Sequence, residues 1–198
     1  LSNDGRGKGF LAPSEEGQRR AIGAAYAISG IEPKQVSLLE CHATGTPVGD
    51  ATELRSSASV FAQARNLPIG SLKSNLGHLI TVAGAAGLIK VLEAMRNRVR
   101  PPTLHCGDST AALQQTPFRL LREAEPWTVD GPRVAAISAF GFGGNNAHLI
   151  VAEDDGRKDD GSIGGGRATA AARPVAIVGI GVKIADASDR AAFARALF

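Results

Sequence analysis

From Ser14 to Gly30 the apolar positions Ile22, Ala25 and Tyr26 fall on one helical face, behind a start signal of Ser14, Glu15 and Glu16 and ahead of a glycine stop. VSLLEC, residues 36–41, is a largely apolar run of strand length and predicts a buried strand. Asp50 with Glu53 three positions later has the form of a capping box, and Leu54, Ala58 and Phe61 continue it as a helical stripe, so HATGTPVG becomes a strand-to-helix loop. IGSL reads as a short strand, and the Ala- and Gly-rich run from about Thr81 to Arg96 as a helix. Gly84 and Gly87 each cost that helix about 1 kcal/mol relative to alanine, which predicts a backbone packed closely on a neighbour. RVAAISAF and AHLIVAE are two apolar strands joined by GFGGNN, a hairpin with an elaborate turn.

The pattern breaks near residue 153. Residues 153–173 are rich in Asp, Gly, Ala and basic residues and lack the apolar surface to order themselves, so they read as a flexible linker. PVAIVGIGVKI then opens a new strand, and Ser188 caps a helix running to Phe198, as if a second domain starts at 174. The alternation of strands and helices makes the class α/β.

Composition removes several functions. The chain has 198 residues, 43% hydrophobic, and 22 Lys and Arg against 19 Asp and Glu; the basic excess is scattered, which argues against nucleic acid. No apolar stretch reaches the roughly 18 residues of a membrane span, because Lys90 and Glu93 interrupt the best candidate. The LSNDGRGKGF start carries no secretory signal pattern and reads as a cut into a longer chain. Two cysteines make no disulfide framework, and this fits a reducing cytoplasm.

Three segments carry candidate chemistry. In ECHATGTPVGD, Cys41 and His42 are adjacent on an extended strand, so their side chains point to opposite faces and do not readily share a proton. Cys41 fits a core position, whereas His42 stands at a strand end, where α/β folds place ligands. GSLKSNLGHLITVAGAAG sets Lys73, Asn75 and His78 in a loop between a strand and the packed helix, either as a site or as a plain loop whose histidine caps the helix. SAFGFGGNNAH is either a hairpin turn or a glycine loop bringing backbone N–H groups to a ligand, able to stabilise an oxyanion. Zinc is disfavoured, since Cys41–His42 and His105–Cys106 lack the spacer two ligands need. VGIGVK lacks the third glycine of a dinucleotide fingerprint.

In this order and spacing, the three segments resemble the C-terminal half of a β-ketoacyl synthase over residues 1–152, and NDGRGKGFLAPSEEGQ and PFRLLREAEPW resemble the same family, of the multidomain polyketide or polyunsaturated fatty acid synthase kind. The resemblance implies a thiolase-like α-β-α-β-α layered fold, of which this chain holds the second half. It implies decarboxylative Claisen condensation of an acyl thioester with a malonyl unit carried on the phosphopantetheine of acyl carrier protein, with no cofactor bound directly and no metal. His42 and His78 match the family's two catalytic histidines and Lys73 its lysine; the nucleophilic cysteine matches no residue here and belongs upstream of Leu1. The Phe142 N–H matches an oxyanion donor, Thr44 and Thr46 match contacts to the pantetheine arm, and Asn75, Gly141 and Gly143 fall with them as substrate-binding positions. Two departures stand out: Ala43 where glycine is commoner and Asn145 where threonine is usual. Implied partners are acyl carrier protein, the N-terminal half of the same ketosynthase domain, and a second copy or a chain-length-factor subunit. Residues 174–198 resemble the opening of a second, chain-length-factor-like ketosynthase domain. A non-catalytic chain-length-factor role for residues 1–152 is the alternative, against which the retained His42, Lys73 and His78 weigh.

Overall fold

A computed structural model describes residues 1–5, 9, 12–107, 111–154 and 189–197. In chain order the elements are β1 (Ser2–Asn3), α1 (Glu15–Ser29), β2 (Leu38–Glu40), α2 (Pro47–Val60), β3 (Leu67–Gly70), α3 (Lys73–Leu76), α4 (Ala83–Asn97), β4 (Val99–Arg100), α5 (Ala111–Gln114), β5 (Phe118–Leu120), β6 (Glu125–Pro126), β7 (Val134–Gly141), β8 (Asn145–Ala152) and α6 (Arg190–Leu197). Six strands form one mixed sheet in the order β1-β8-β7-β2-β3-β5, and β4 and β6 make a small antiparallel pair. β2, β3, β5 and β7 run parallel, while β8 and then β1 extend the sheet antiparallel.

The alternation of side chains along a strand sorts the core into two layers. Leu39, Ile69, Val134 and Ala136 face α1 and α2, where they meet Ile22, Tyr26 and Phe61. Leu38, Ala135 and Ile137 face the other way, onto Val91, Ala94 and Met95 of α4 and onto Trp127. Parallel strands covered on both faces are apolar at most positions, which is why VSLLEC and RVAAISAF read as largely apolar runs and not as alternating ones.

The helix signals at 14–30 hold: Ser14 Oγ accepts the Gly17 N–H at 3.1 Å, and Gly30 closes α1 at φ 66°. Gly84 and Gly87 also hold. A Cβ at Gly84 would lie 3.3 Å from Ala139 Cβ, and one at Gly87 would lie 3.2 Å from Glu40 Cγ, so α4 lies against β7 and β2 closer than side chains there would permit. The β7–β8 hairpin pairs from Val134↔Ala152 to Gly141↔Asn145 around a turn at 142–144.

Three local expectations change. α2 starts at Pro47, whose ring pre-sets the helical φ, so Asp50 and Glu53 lie inside the helix and do not cap it. Lys73, Asn75 and their neighbours form the helical turn α3 rather than a loop. α4 starts at Ala83, two residues late, because a 3₁₀ turn occupies Ile80–Val82. The linker and the second-domain strand lie almost wholly outside the described residues, as do Ser188 and Phe198; beside α6, Asp189 Oδ1 accepts the Ala192 N–H at 2.8 Å. Among the described residues no helix is long and apolar enough to cross a membrane.

Candidate active site at the ends of the central strands

His42 leaves the end of β2, and what turns the chain there is Glu53. This carboxylate is buried on α2, and its two oxygens accept the His42 and Ala43 backbone N–H groups, each at 2.7 Å. Asp50, one turn earlier, accepts the Thr44 N–H at 3.1 Å. The pair that reads as a capping box therefore caps a strand end from within a helix. Burial pushes the Glu53 carboxyl up to about 7, against the opposing pull of its two backbone N–H bonds and of Lys73. Ala43, in the middle of this turn, takes φ 23°.

His78 arrives from the connection between α3 and α4, and its ring meets that of His42 at 5.3 Å between centroids and 78° between planes. The Phe140 ring stands 5.8 Å from His42, bringing the end of β7 and the glycine turn to the same place. His42 is held near pKa 3, by burial first, then by the Lys73 ammonium and by His78. It is therefore neutral at physiological pH, with one N–H to give. Its Nδ1 is buried and, among the described residues, has no hydrogen-bond partner. A buried N–H without an acceptor is the rarer defect, so the favoured tautomer leaves Nδ1 as a lone pair and places the proton on Nε2. Burial lowers the Lys73 ammonium, while Glu40 and Glu53 pull it back toward its ordinary value.

The remaining candidates divide. Thr44 and Thr46 lie side by side, their hydroxyls 3.2 Å apart on the surface of the loop. Phe142 is 65% exposed at the tip of the turn, where Gly143 and Gly144 take φ 73° and 76°, a region that costs glycine nothing. Asn3 Nδ2 donates to Gly143 O and to Asn145 Oδ1, at 3.2 and 2.9 Å, and Asn146 Nδ2 donates to Asp4 Oδ1 at 2.7 Å, so β1 clasps the turn. Gly141 opens that turn, and Asn75, half-buried in α3, accepts from the adjacent Ser74 Oγ at 2.9 Å. Cys41 is buried in the core, with its thiol pushed up by burial and by Glu53 and Glu40. A cavity of about 510 Å³ opens on the Lys73 side of the loop, between Cys41, Thr44, Asp50, Glu53, Lys73 and Cys106; neither imidazole lines it. Among the described residues no three His, Cys, Asp or Glu side chains converge to hold a metal ion.

Sequence reasoning missed three participants: Glu53 as the anchor of His42, Phe140 as its neighbour, and a buried ion pair between Glu40 and Lys90, 2.6 Å apart. The signal for the last was a charge inside each of two apolar runs, SLLEC and GLIKVL.

Residues 1–107 match the family described as "Beta-ketoacyl synthase, C-terminal domain". Polyketide synthase GfsA of Streptomyces halstedii is 42% identical over 160 residues, covering 77% of this chain and 2% of its own length. Polyketide synthase ThaG of Burkholderia thailandensis is 41% identical over 189 residues, covering 90% of this chain and 3% of its own. The chain thus spans a small fraction of each of these relatives. Among solved structures, ketosynthase twelve of the bacillaene polyketide synthase from Bacillus amyloliquefaciens superposes with a TM-score of 0.74 at 35% identity, over 77% of this chain and 29% of that one. The oxazolomycin ketosynthase domain of Streptomyces albus JA3453 gives 0.73 at 42% identity, over 77% and 28%. The expected thiolase-like fold is the fold these ketosynthases share with the chain.

Proposed function

Because this chain belongs to the β-ketoacyl synthase family, as that family's C-terminal domain, we propose that it supplies the two-histidine half of a ketosynthase active site working in polyketide chain elongation. The reaction is decarboxylative condensation. An acyl group passes from a carrier thioester to a cysteine of the preceding half-domain with release of the carrier thiol, a malonyl unit on acyl carrier protein loses carbon dioxide, and the resulting carbanion attacks the acyl–cysteine thioester, forming the new carbon–carbon bond as the cysteine thiolate leaves.

The observation that carries this reading is the convergence of His42 and His78 at 5.3 Å, with His42 held neutral. As carbon dioxide leaves, negative charge develops on the malonyl thioester oxygen. A neutral His42 donating from Nε2, with the His78 ring converging beside it, stabilises that enolate without having to surrender a proton, and a fixed donor costs no reorganisation at the moment of reaction. Lys73 acts at a distance: its charge helps keep His42 neutral, hence a hydrogen-bond donor with a lone pair turned away. The Phe142 N–H is the acyl oxyanion donor, on a turn held open by Gly141 and Gly143, and Thr44, Thr46 and Asn75 receive the pantetheine arm. The ThaG similarity over 90% of the chain supports reading residues beyond 152 as a continuation of such a synthase, toward a second ketosynthase-like domain.

The test uses the complete ketosynthase with a malonyl carrier thioester. His42→Ala and His78→Ala should each slow malonyl decarboxylation by roughly 10²- to 10³-fold, the loss seen when one oxyanion donor is removed. Acyl loading of the cysteine should persist. Normal decarboxylation in both variants overturns the assignment.

A further inference from the structure

We propose that Glu40 and Lys90 are a positioning pair that sets where Lys73 and His78 stand relative to His42. The inference rests on the reading of His42 and His78 as the decarboxylation pair, and it is carried by a different set of contacts. Glu40 lies on β2, two residues before His42. Its Oε2 receives the Lys90 ammonium at 2.6 Å, and its Oε1 accepts the Leu72 backbone N–H, also at 2.6 Å. Leu72 immediately precedes Lys73 and α3, whereas Lys90 belongs to α4; His78 is in the connection between those two helices. One carboxylate therefore ties the strand bearing one histidine to both ends of the segment bearing the other.

That segment needs an outside restraint. Leu79 and Ile80, directly after His78, take φ 49° and 43°, and a β-branched residue in the left-handed region is held there by its surroundings and not by its own preference. The surroundings are shaped for the pair. A Cβ at Gly87 would come within 3.2 Å of Glu40 Cγ, and a Cβ at Gly70 would touch Lys90 Nζ at 3.6 Å. The ion pair is 1% and 4% exposed at its two side chains. Removing two charges from water offsets most of their attraction, and well-packed neutral residues often serve stability equally well, so stability alone is a weak reason for such a pair. What neutral packing does not supply is a directional tie at a fixed length to two elements at once. Being neutral overall, the pair acts through this geometry and adds little field of its own at the imidazoles.

The experiment is the double variant Glu40→Gln/Lys90→Met in the complete ketosynthase. The glutamine keeps the Leu72 contact, the methionine fills the space of the lysine stem, and the tie to α4 is lost. Malonyl decarboxylation and acyl loading of the nucleophile are followed separately, with melting temperature recorded and His42→Ala run alongside. The expected result is a fall in the decarboxylation kcat of about 10- to 100-fold, the scale of a misplacement near 1 Å, with KM for the malonyl carrier and the loading rate unchanged. Unchanged decarboxylation overturns the proposal, and so does an equal loss of both half-reactions, which makes the pair ordinary core. Retained decarboxylation in His42→Ala overturns the functional reading and the pair's role with it. Should the double variant not fold, Gly87→Ala, which presses a methyl on Glu40 with both charges kept, decides by the same readouts: a smaller loss confined to decarboxylation supports the proposal, and no loss or a uniform one overturns it.

Discussion

Glu53 accepts the His42 backbone N–H at 2.7 Å while its second oxygen takes that of Ala43 at the same distance, so a helix carboxylate, and not a neighbouring strand, finishes β2. Two buried donors depend on it, and an unsatisfied buried donor costs about 1 to 3 kcal/mol. Glu53→Ala should therefore lower the unfolding free energy by roughly 2 to 6 kcal/mol. Glu53→Gln, which still accepts one of the two bonds, should lose about half as much. Urea titrations of the three proteins check the order; equal stability of wild type and alanine variant would refute the anchoring role.

The acid limb of the decarboxylation rate should not come from His42. Burial and Lys73 hold this imidazole near 3, and a base with a depressed pKa stays neutral at every pH above it, so its donor function is present from alkaline pH down to about 3. A pH profile of malonyl decarboxylation by the complete ketosynthase should show no loss near 6.5 traceable to His42. In Lys73→Met, removal of the nearby positive charge raises the His42 pKa, while burial, the larger cause, still holds it below its ordinary value. An NMR titration of the His42 imidazole reads this directly, and an unmoved titration in that variant would contradict the electrostatic role.

His148 should make this chain acid-labile. Burial lowers it to about 4, while its Nδ1 meets Ser138 Oγ at 3.1 Å. Unfolded, the ring titrates near its ordinary 6.5, so between about 6.5 and 4 the unfolded chain binds a proton that the folded chain does not. Stability is thus fully present above about 6.5 and is lost as pH falls through about 4. The loss is roughly 3 kcal/mol, from about 1.36 kcal/mol per pH unit. Unfolding free energies measured from about pH 7 to 4 should fall less steeply for His148→Leu than for wild type, and parallel curves would count against it.

Ala43 and Ala136 should respond differently to glycine. A left-handed backbone costs an L-residue about 1 to 2 kcal/mol, and Ala43 at φ 23° borders that region. Glycine relieves that strain but adds about 0.4 to 1 kcal/mol of unfolded-chain entropy and removes a methyl worth about 0.8 kcal/mol, so Ala43→Gly should be neutral within about 0.5 kcal/mol. Ala136, fully buried in β7, carries no such strain, and Ala136→Gly should cost about 1.5 kcal/mol. Equal losses in the two variants would mean Ala43 stores no strain.

The amino-acid sequence by itself determined whatever depends on neighbours along the chain: α1 between Ser14 and Gly30, the buried strands around Leu39 and Ala136, the tight approach of α4 at Gly84 and Gly87, the hairpin at 141–145, and the core place of Cys41. These follow from periodicity, capping and glycine geometry, which act over a few residues. Family likeness added His42, Lys73 and His78 as members of one site, and the fold brings the two rings together. Only the tertiary structure decided what holds them. Glu53 lies 11 positions from His42, Lys90 50 positions from Glu40, and Asp4 142 positions from Asn146, and in each case a charged or polar side chain is bonded inside the protein where a local pattern reads surface or cap. A carboxylate's partner is chosen by which backbone or ammonium group the packing delivers to it, and no spacing along the chain records that choice.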